Sequence, residues 1–236
     1  MLRRGIAGTA GTCLLASVAL TAADFWQEKD FAVWSAQQVE KMLTDSPWAK
    51  KVTIVTGSLR EGALDGFQGG GAGPGGGGGG SRSGDGNNAE FQQIRRVTVT
   101  VAWISALPFR QALVRRQTGP GATISPDQQR QFTEDAPFYT VAVAGLPLRM
   151  AARVRTVDEV RAKTALKPNR KEGIAPADIR VAKDGDQSVR VEFLFPKTHA
   201  ITLDDKDVEF ITSLGGVEVK KKFGLADMLV RGRLLL

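Results

Sequence analysis

Apolar and polar residues alternate over several short stretches of this chain, and a period of two is the pattern of a half-buried β-strand. Between residues 96 and 104, Val97, Val99, Val101 and Trp103 share one face, with Thr98 and Thr100 on the other. Over 189–195, Val189, Val191, Phe193 and Phe195 point one way and Arg190 and Glu192 the other. Further strands are predicted at 52–56, 138–144, 178–181, 208–212, 217–222 and 228–235. Helix starts are marked by capping chemistry, a Ser or Thr followed three residues later by Glu or Gln. The pairs are Ser35 with Gln38, Ser125 with Gln128 (Pro126 at the first helical position) and Thr156 with Glu159. The first of these helices carries Val39, Met42 and Leu43 on one stripe and stops before Pro47, and a short helix follows Pro108 through Phe109, Ala112 and Leu113. About eight strands, most separated by too few residues for a crossover helix, predict an α+β fold: a mainly antiparallel, sandwich-like sheet structure with three or four short helices.

Two segments fall outside this pattern. Residues 1–23 read as a signal peptide: Arg3 and Arg4, then an uncharged, mildly apolar stretch diluted by Gly and Thr, then Thr21-Ala22-Ala23 before Asp24. Its apolar core is shorter than the roughly 20 residues of a spanning helix, so cleavage and export are expected, with no transmembrane segment left afterwards. Lipidation at Cys13 is not expected, because Ala10-Gly11-Thr12 lacks the aliphatic-then-small pattern of such sites. The second segment is GGGAGPGGGGGGSRSGDG at 69–86, with 12 glycines in 18 positions. It has no side chain to bury and is expected to be disordered. The Gly-x-Gly-x-x-Gly match it contains at Gly71, Gly73 and Gly76 arises from composition and leads into no helix. Strand signals on both sides suggest a hairpin with an expanded loop, so residues 24–236 are read as one α+β domain carrying a glycine-rich insertion.

Composition then excludes several kinds of chemistry. Cys13 is the only cysteine, so a cleaved chain has no disulfide, thiol nucleophile or cysteine metal site. His199 is the only histidine, which rules out a multi-histidine metal centre, and no Gly-x-Ser-x-Gly elbow accompanies it. No cofactor is called for. The formal charge of +7 falls to +5 once Arg3 and Arg4 leave with the leader. The basic residues come in runs, Lys50-Lys51, Arg95-Arg96, Arg115-Arg116 and Lys220-Lys221-Lys222, whose ordinary reading is a solvated surface. Export makes nucleic acid a poor partner and favours an envelope protein, an anionic envelope polymer or lipid headgroups.

Two clusters carry candidate chemistry. Trp26, Trp34 and Trp48 lie within 23 residues, although aromatic residues form only 7% of the chain. Exposed, they would make a stacking platform for a sugar ring or a partner protein; buried, they would pin the N-terminal segment to the sheet. Asp204, Asp205 and Asp207, with Glu209 nearby, offer oxygen ligands for a hard cation such as calcium, although Lys206 opposes it and the spacing is not that of an EF-hand. The same carboxylates would have to face one another across a cleft to cleave a glycosidic bond.

Several segments resemble a group of exported bacterial proteins with no characterised activity: Trp34-Ser35 followed by Val39, Leu43 and Asp45-Ser46-Pro47-Trp48-Ala49-Lys50, then Trp103-Ile104-Ser105-Ala106-Leu107-Pro108, Phe193-Leu194-Phe195-Pro196, and the run from Ile201 through Leu203-Asp204-Asp205-Lys206-Asp207-Val208-Glu209-Phe210. The resemblance spans most of the chain outside the glycine tract and carries over no functional residue. The functional expectation is an envelope or secreted module that binds without catalysis; the alternative is a carboxylate-dependent hydrolase acting on envelope polysaccharide.

Overall fold

The computed structural model describes residues 24–56, 95–169 and 171–236. The predicted leader and the glycine-rich insertion lie outside the described residues. The fold is α+β, with antiparallel sheets stacked as a sandwich. The chain opens with a one-turn helix, α1 (Phe25–Glu28), and a 3-10 turn (Phe31–Val33), followed by α2 (Ala36–Thr44). A five-stranded antiparallel sheet is built from β1 (Ala49–Thr56), β2 (Arg95–Trp103), β3 (Phe138–Pro147), β6 (Ser188–Pro196) and β5 (Asp178–Lys183), in that spatial order. Strands β1 and β2, which flank the glycine-rich segment, pair antiparallel from Ala49 with Ala102 to Thr56 with Arg95. Helices α3 (Leu107–Thr118) and α4 (Pro126–Thr133) lie between β2 and β3, and α5 (Leu148–Ala151) and α6 (Val157–Ala162) follow β3. A second sheet has the order β4 (Ala165–Pro168), β7 (Asp207–Leu214), β8 (Val217–Gly224).

The alternation read from the sequence fixes which faces meet. Val99, Val101 and Trp103 of β2, Val141 and Val143 of β3 and Phe193 and Phe195 of β6 are buried, and the strand register puts them on one face. The second sheet answers with Val208, Phe210 and Phe223. Ring pairs cross the interface, Phe193 with Phe210 at 5.3 Å and Trp103 with Phe223 at 5.6 Å between centroids, in the tilted and edge-to-face geometries that aromatic quadrupoles favour. The β7–β8 connection is the two-residue turn Gly215-Gly216, both with positive φ. A Cβ on Gly215 would lie 2.5 Å from the Met150 carbonyl oxygen, so only glycine fits.

Capping chemistry placed three helices correctly. Ser35 and Ser125 form reciprocal boxes with Gln38 and Gln128. Thr156 accepts the Glu159 amide at 3.1 Å, but the Glu159 carboxylate turns to Lys163 instead of closing the box. The helix after Pro108 is longer than expected, running three turns to Gly119. The strand expected at 228–235 is instead a tight hairpin, β9 (Leu229–Val230) and β10 (Arg233–Leu234), because Arg231 and Gly232 take positive φ and fold the chain back. Strand β4 was not foreseen, since four residues are too few to show a period. Among the described residues no helix is long and apolar enough to cross a membrane.

Candidate functional site

The tryptophan cluster is core. Trp26, Trp34 and Trp48 expose 4%, 2% and 0% of their surface, so the stacking-platform reading gives way to the packing one. Trp26 stacks edge-on against Phe25 and Trp48, and Phe25 in turn against Trp34. Trp48 Nε1 donates to the Leu235 carbonyl at 2.7 Å, and the Gln27 side chain donates to the Leu229 carbonyl and accepts the Arg231 amide. Together these residues tie the N-terminal segment to the β9–β10 hairpin. Trp26 and Trp34 line a groove of about 230 Å³, but their rings are packed against Phe25, Phe31 and Trp48, which leaves no free face for a sugar.

The acidic turn does not converge either. Asp205 is 2% exposed, and its Oδ2 accepts from Lys171 Nζ at 2.8 Å and from the Thr202 amide at 2.9 Å. Burial pushes its pKa up, but the Lys171 hydrogen bond, the Thr202 amide and the Lys171 charge outweigh that and hold the carboxyl below its ordinary value. Asp207 pairs with Lys222 across the β7–β8 ladder, and Asp204 is exposed. The groove beside the turn is lined by Asp204 and not by Asp205, Asp207 or Glu209. Among the described residues no group of three or more His, Cys, Asp or Glu side chains is placed to hold a metal ion. Asp205 and Asp207 therefore anchor structure where a calcium site was considered. His199 is exposed in the turn after β6.

The arrangement best suited to a ligand is on the other face of the five-stranded sheet. There the alternation leaves Thr100 and Ala102 of β2 and Ala142 and Ala144 of β3 as a floor of small side chains. Helix α3 crosses this floor with Phe109, Leu113 and Arg116 at i, i+4 and i+7, one stripe of a helix, and α2 contributes Leu43. Small residues below large ones leave a cleft of about 270 Å³ walled by Leu43, Ile104, Phe109 and Leu113.

Charged groups stand around this cleft in balance. Arg190 Nε donates to Glu192 Oε1 at 2.7 Å, as residues two apart on one strand can. Asp184 Oδ2 accepts the amide of Gly145 at 2.8 Å; Gly145 has positive φ and sits at the bulge where the β3–β6 register slips between Val143 and Leu146. Arg116 is exposed at the cleft. Two guanidinium groups thus meet two carboxylates around an apolar interior.

The basic pair Arg115-Arg116 divides between interior and surface. Arg115 is 1% exposed, its Nη1 donating to the Gly119 and Ala122 carbonyls at 2.9 Å each, with its guanidinium 5.7 Å from the Phe31 ring centroid. It holds the loop that ends α3, which corrects its reading as a solvated basic residue. Helix phase was the available signal: Arg115 follows Ala112, which is fully buried, while Arg116 extends the stripe of Phe109 and Leu113. No protein-family model, curated protein or solved structure matches the chain.

Proposed function

We propose that this chain is a non-enzymatic binding module, exported to the envelope or beyond, which holds a partner protein by an apolar anchor side chain seated in the cleft under α3. The observation that carries this reading is the cleft's construction: an apolar interior over Ala102, Ala142 and Ala144, ringed by Arg116, Arg190, Asp184 and Glu192. An apolar pocket with polar surroundings of both signs is how protein interfaces seat a large anchor residue while excluding water around it. A polyanion would instead call for a single-sign field, and the balanced charges do not supply one. A polysaccharide hydrolase would need two carboxylates free to act across an open cleft; the acidic turn offers its groove only Asp204, and at the cleft under α3 Glu192 is engaged by Arg190 and Asp184 by the Gly145 amide.

Filling the cleft tests the proposal. Ala144 is half-buried on the floor, so Ala144→Phe places a ring where the anchor would sit. Purified protein immobilised and exposed to envelope extract is expected to retain a partner that the Ala144→Phe variant does not. Retention of the same proteins by both, or of none by the unaltered chain, contradicts the proposal.

A further inference from the structure

On the side of α3 away from the cleft, the chain segment 234–236 runs between two grooves. One, of about 480 Å³, is lined by Arg110, Phe132, Asp135 and Arg233; the other, of about 530 Å³, by Tyr139, Lys197, Leu203 and Asp204; Leu234 and Leu236 line both. Three cations from distant parts of the chain are gathered here, and none has a carboxylate within ion-pair distance among the described residues. Arg110 Nη1 donates to the Gln131 and Glu134 carbonyls, while its buried Nε has no partner among the described residues. Lys197 Nζ stands 5.0 Å from the centroid of the Tyr139 ring. Beside these charges lie Leu203, 46% exposed, and the half-buried Leu234 and Leu236.

We propose that this end of the molecule is a membrane-surface site for anionic phospholipid, in which Lys197, Arg233 and Arg110 face the headgroup layer while the exposed Leu203 meets the acyl boundary beside Leu234 and Leu236, which are partly buried against the core. Long basic side chains keep their charged ends at a polar layer while their stems lie along apolar surface, and basic groups beside exposed aliphatic ones are the composition of an interfacial contact. The exposed Leu203 favours a lipid over free phosphate or a soluble polyanion, which would use the cations and leave that side chain idle. Burial lowers the pKa of Lys197, the Asp135 charge offsets this, and Arg110 lowers it further. The basic runs Lys50-Lys51 and Lys220-Lys221-Lys222 are not part of this surface; Lys50, Lys220 and Lys222 already hold Asp45, Glu218 and Asp207.

Cosedimentation with vesicles tests the site. The purified protein is expected to bind vesicles of equal parts phosphatidylglycerol and phosphatidylcholine, to ignore pure phosphatidylcholine, and to release as salt rises. Lys197→Glu and Arg233→Glu are each expected to lower the partition coefficient at least about fivefold, the effect of roughly one basic residue near an anionic surface. Leu203→Ser should weaken binding without changing its salt dependence, and Lys183→Glu on β5 should leave it unchanged. Equal binding to both lipids, indifference to the two charge reversals, or saturable binding of inorganic phosphate without vesicle binding each overturns the proposal. Ala144→Phe is expected to leave vesicle binding intact, so failure here and failure of the cleft are told apart.

Discussion

The inner face of the five-stranded sheet carries Val, Phe and Trp side chains and is sealed by the three-stranded sheet, whereas the outer face carries Thr and Ala and is only partly covered by α2 and α3. On the inner face Trp103, Val141, Val143, Phe193 and Phe195 are fully buried, and their rings interlock with Phe210 and Phe223. On the outer face Phe109 and Leu113 stand over Ala102, Ala142 and Ala144, and the mismatch in size leaves space. One sheet thus has a packed core on one side and an open cleft on the other. The open side is affordable because the closed side is complete.

If that division is right, substitutions on the two faces differ in kind. The largest loss is expected on the inner face: Phe193→Ala should cost about 3–5 kcal/mol, the range for a buried aromatic removed from a packed core, read by urea denaturation. A cost below about 1 kcal/mol would show that the sandwich interior is not the main source of stability. Next comes the helix that roofs the outer face. Arg115→Ala leaves the Gly119 and Ala122 carbonyls without their donor and is expected to cost about 2–3 kcal/mol, while Arg116→Ala, one residue on, should stay within about 0.5 kcal/mol. Equal effects would mean that Arg115 does not pin the α3 terminus.

A smaller effect is expected at the turn that leads into β7. The carboxyl of Asp205 is held below its ordinary pKa, so its contribution to stability is complete above that ordinary value and is lost as pH falls through the lower folded value. Asp205→Asn should cost about 1–2 kcal/mol at neutral pH, a figure held down by the partial exposure of Lys171, and should flatten the acid limb of the stability profile. Denaturation from neutral pH to below the carboxylate range checks this, and an unchanged limb would remove Asp205 from the account. The smallest stability effect belongs to Ala144→Phe, within about 1 kcal/mol, because the cleft has room for the ring; a cost like that of Phe193→Ala would mean that the outer face is packed as tightly as the inner.

Much of this scaffold was legible from the sequence, for physical reasons that also explain what was not. Strands β2 and β6 showed because each has one face against a core, which forces strict alternation at Val97 to Trp103 and Val189 to Phe195. Helices α2, α4 and α6 showed because a cap is local chemistry between residues three apart. The hairpin at Arg231-Gly232 was hidden inside an apolar run, and Gly232 was the signal that could have split it. The cleft was illegible because Ala102, Ala142 and Ala144 define a void only once α3 is laid across them, and no linear pattern records that crossing. The cations Arg110, Lys197 and Arg233 were equally invisible, being far apart in sequence, while the basic runs that drew notice are partly spent on local ion pairs. The tryptophans illustrate the opposite case: a dense cluster conspicuous in sequence proved to be the packing that secures α1 and the β9–β10 hairpin.

The central claim is that the outer face of the five-stranded sheet holds an accessible apolar seat. Titration with indole, the side chain of an aromatic anchor, followed through the methyl resonances of Ala102, Ala142 and Ala144, tests it most directly. Saturable shifts at these three methyl groups, with those at Ala102 and Ala142 abolished by Ala144→Phe, are the predicted result. Shifts that are absent, non-saturable or unchanged in the filled variant would contradict it.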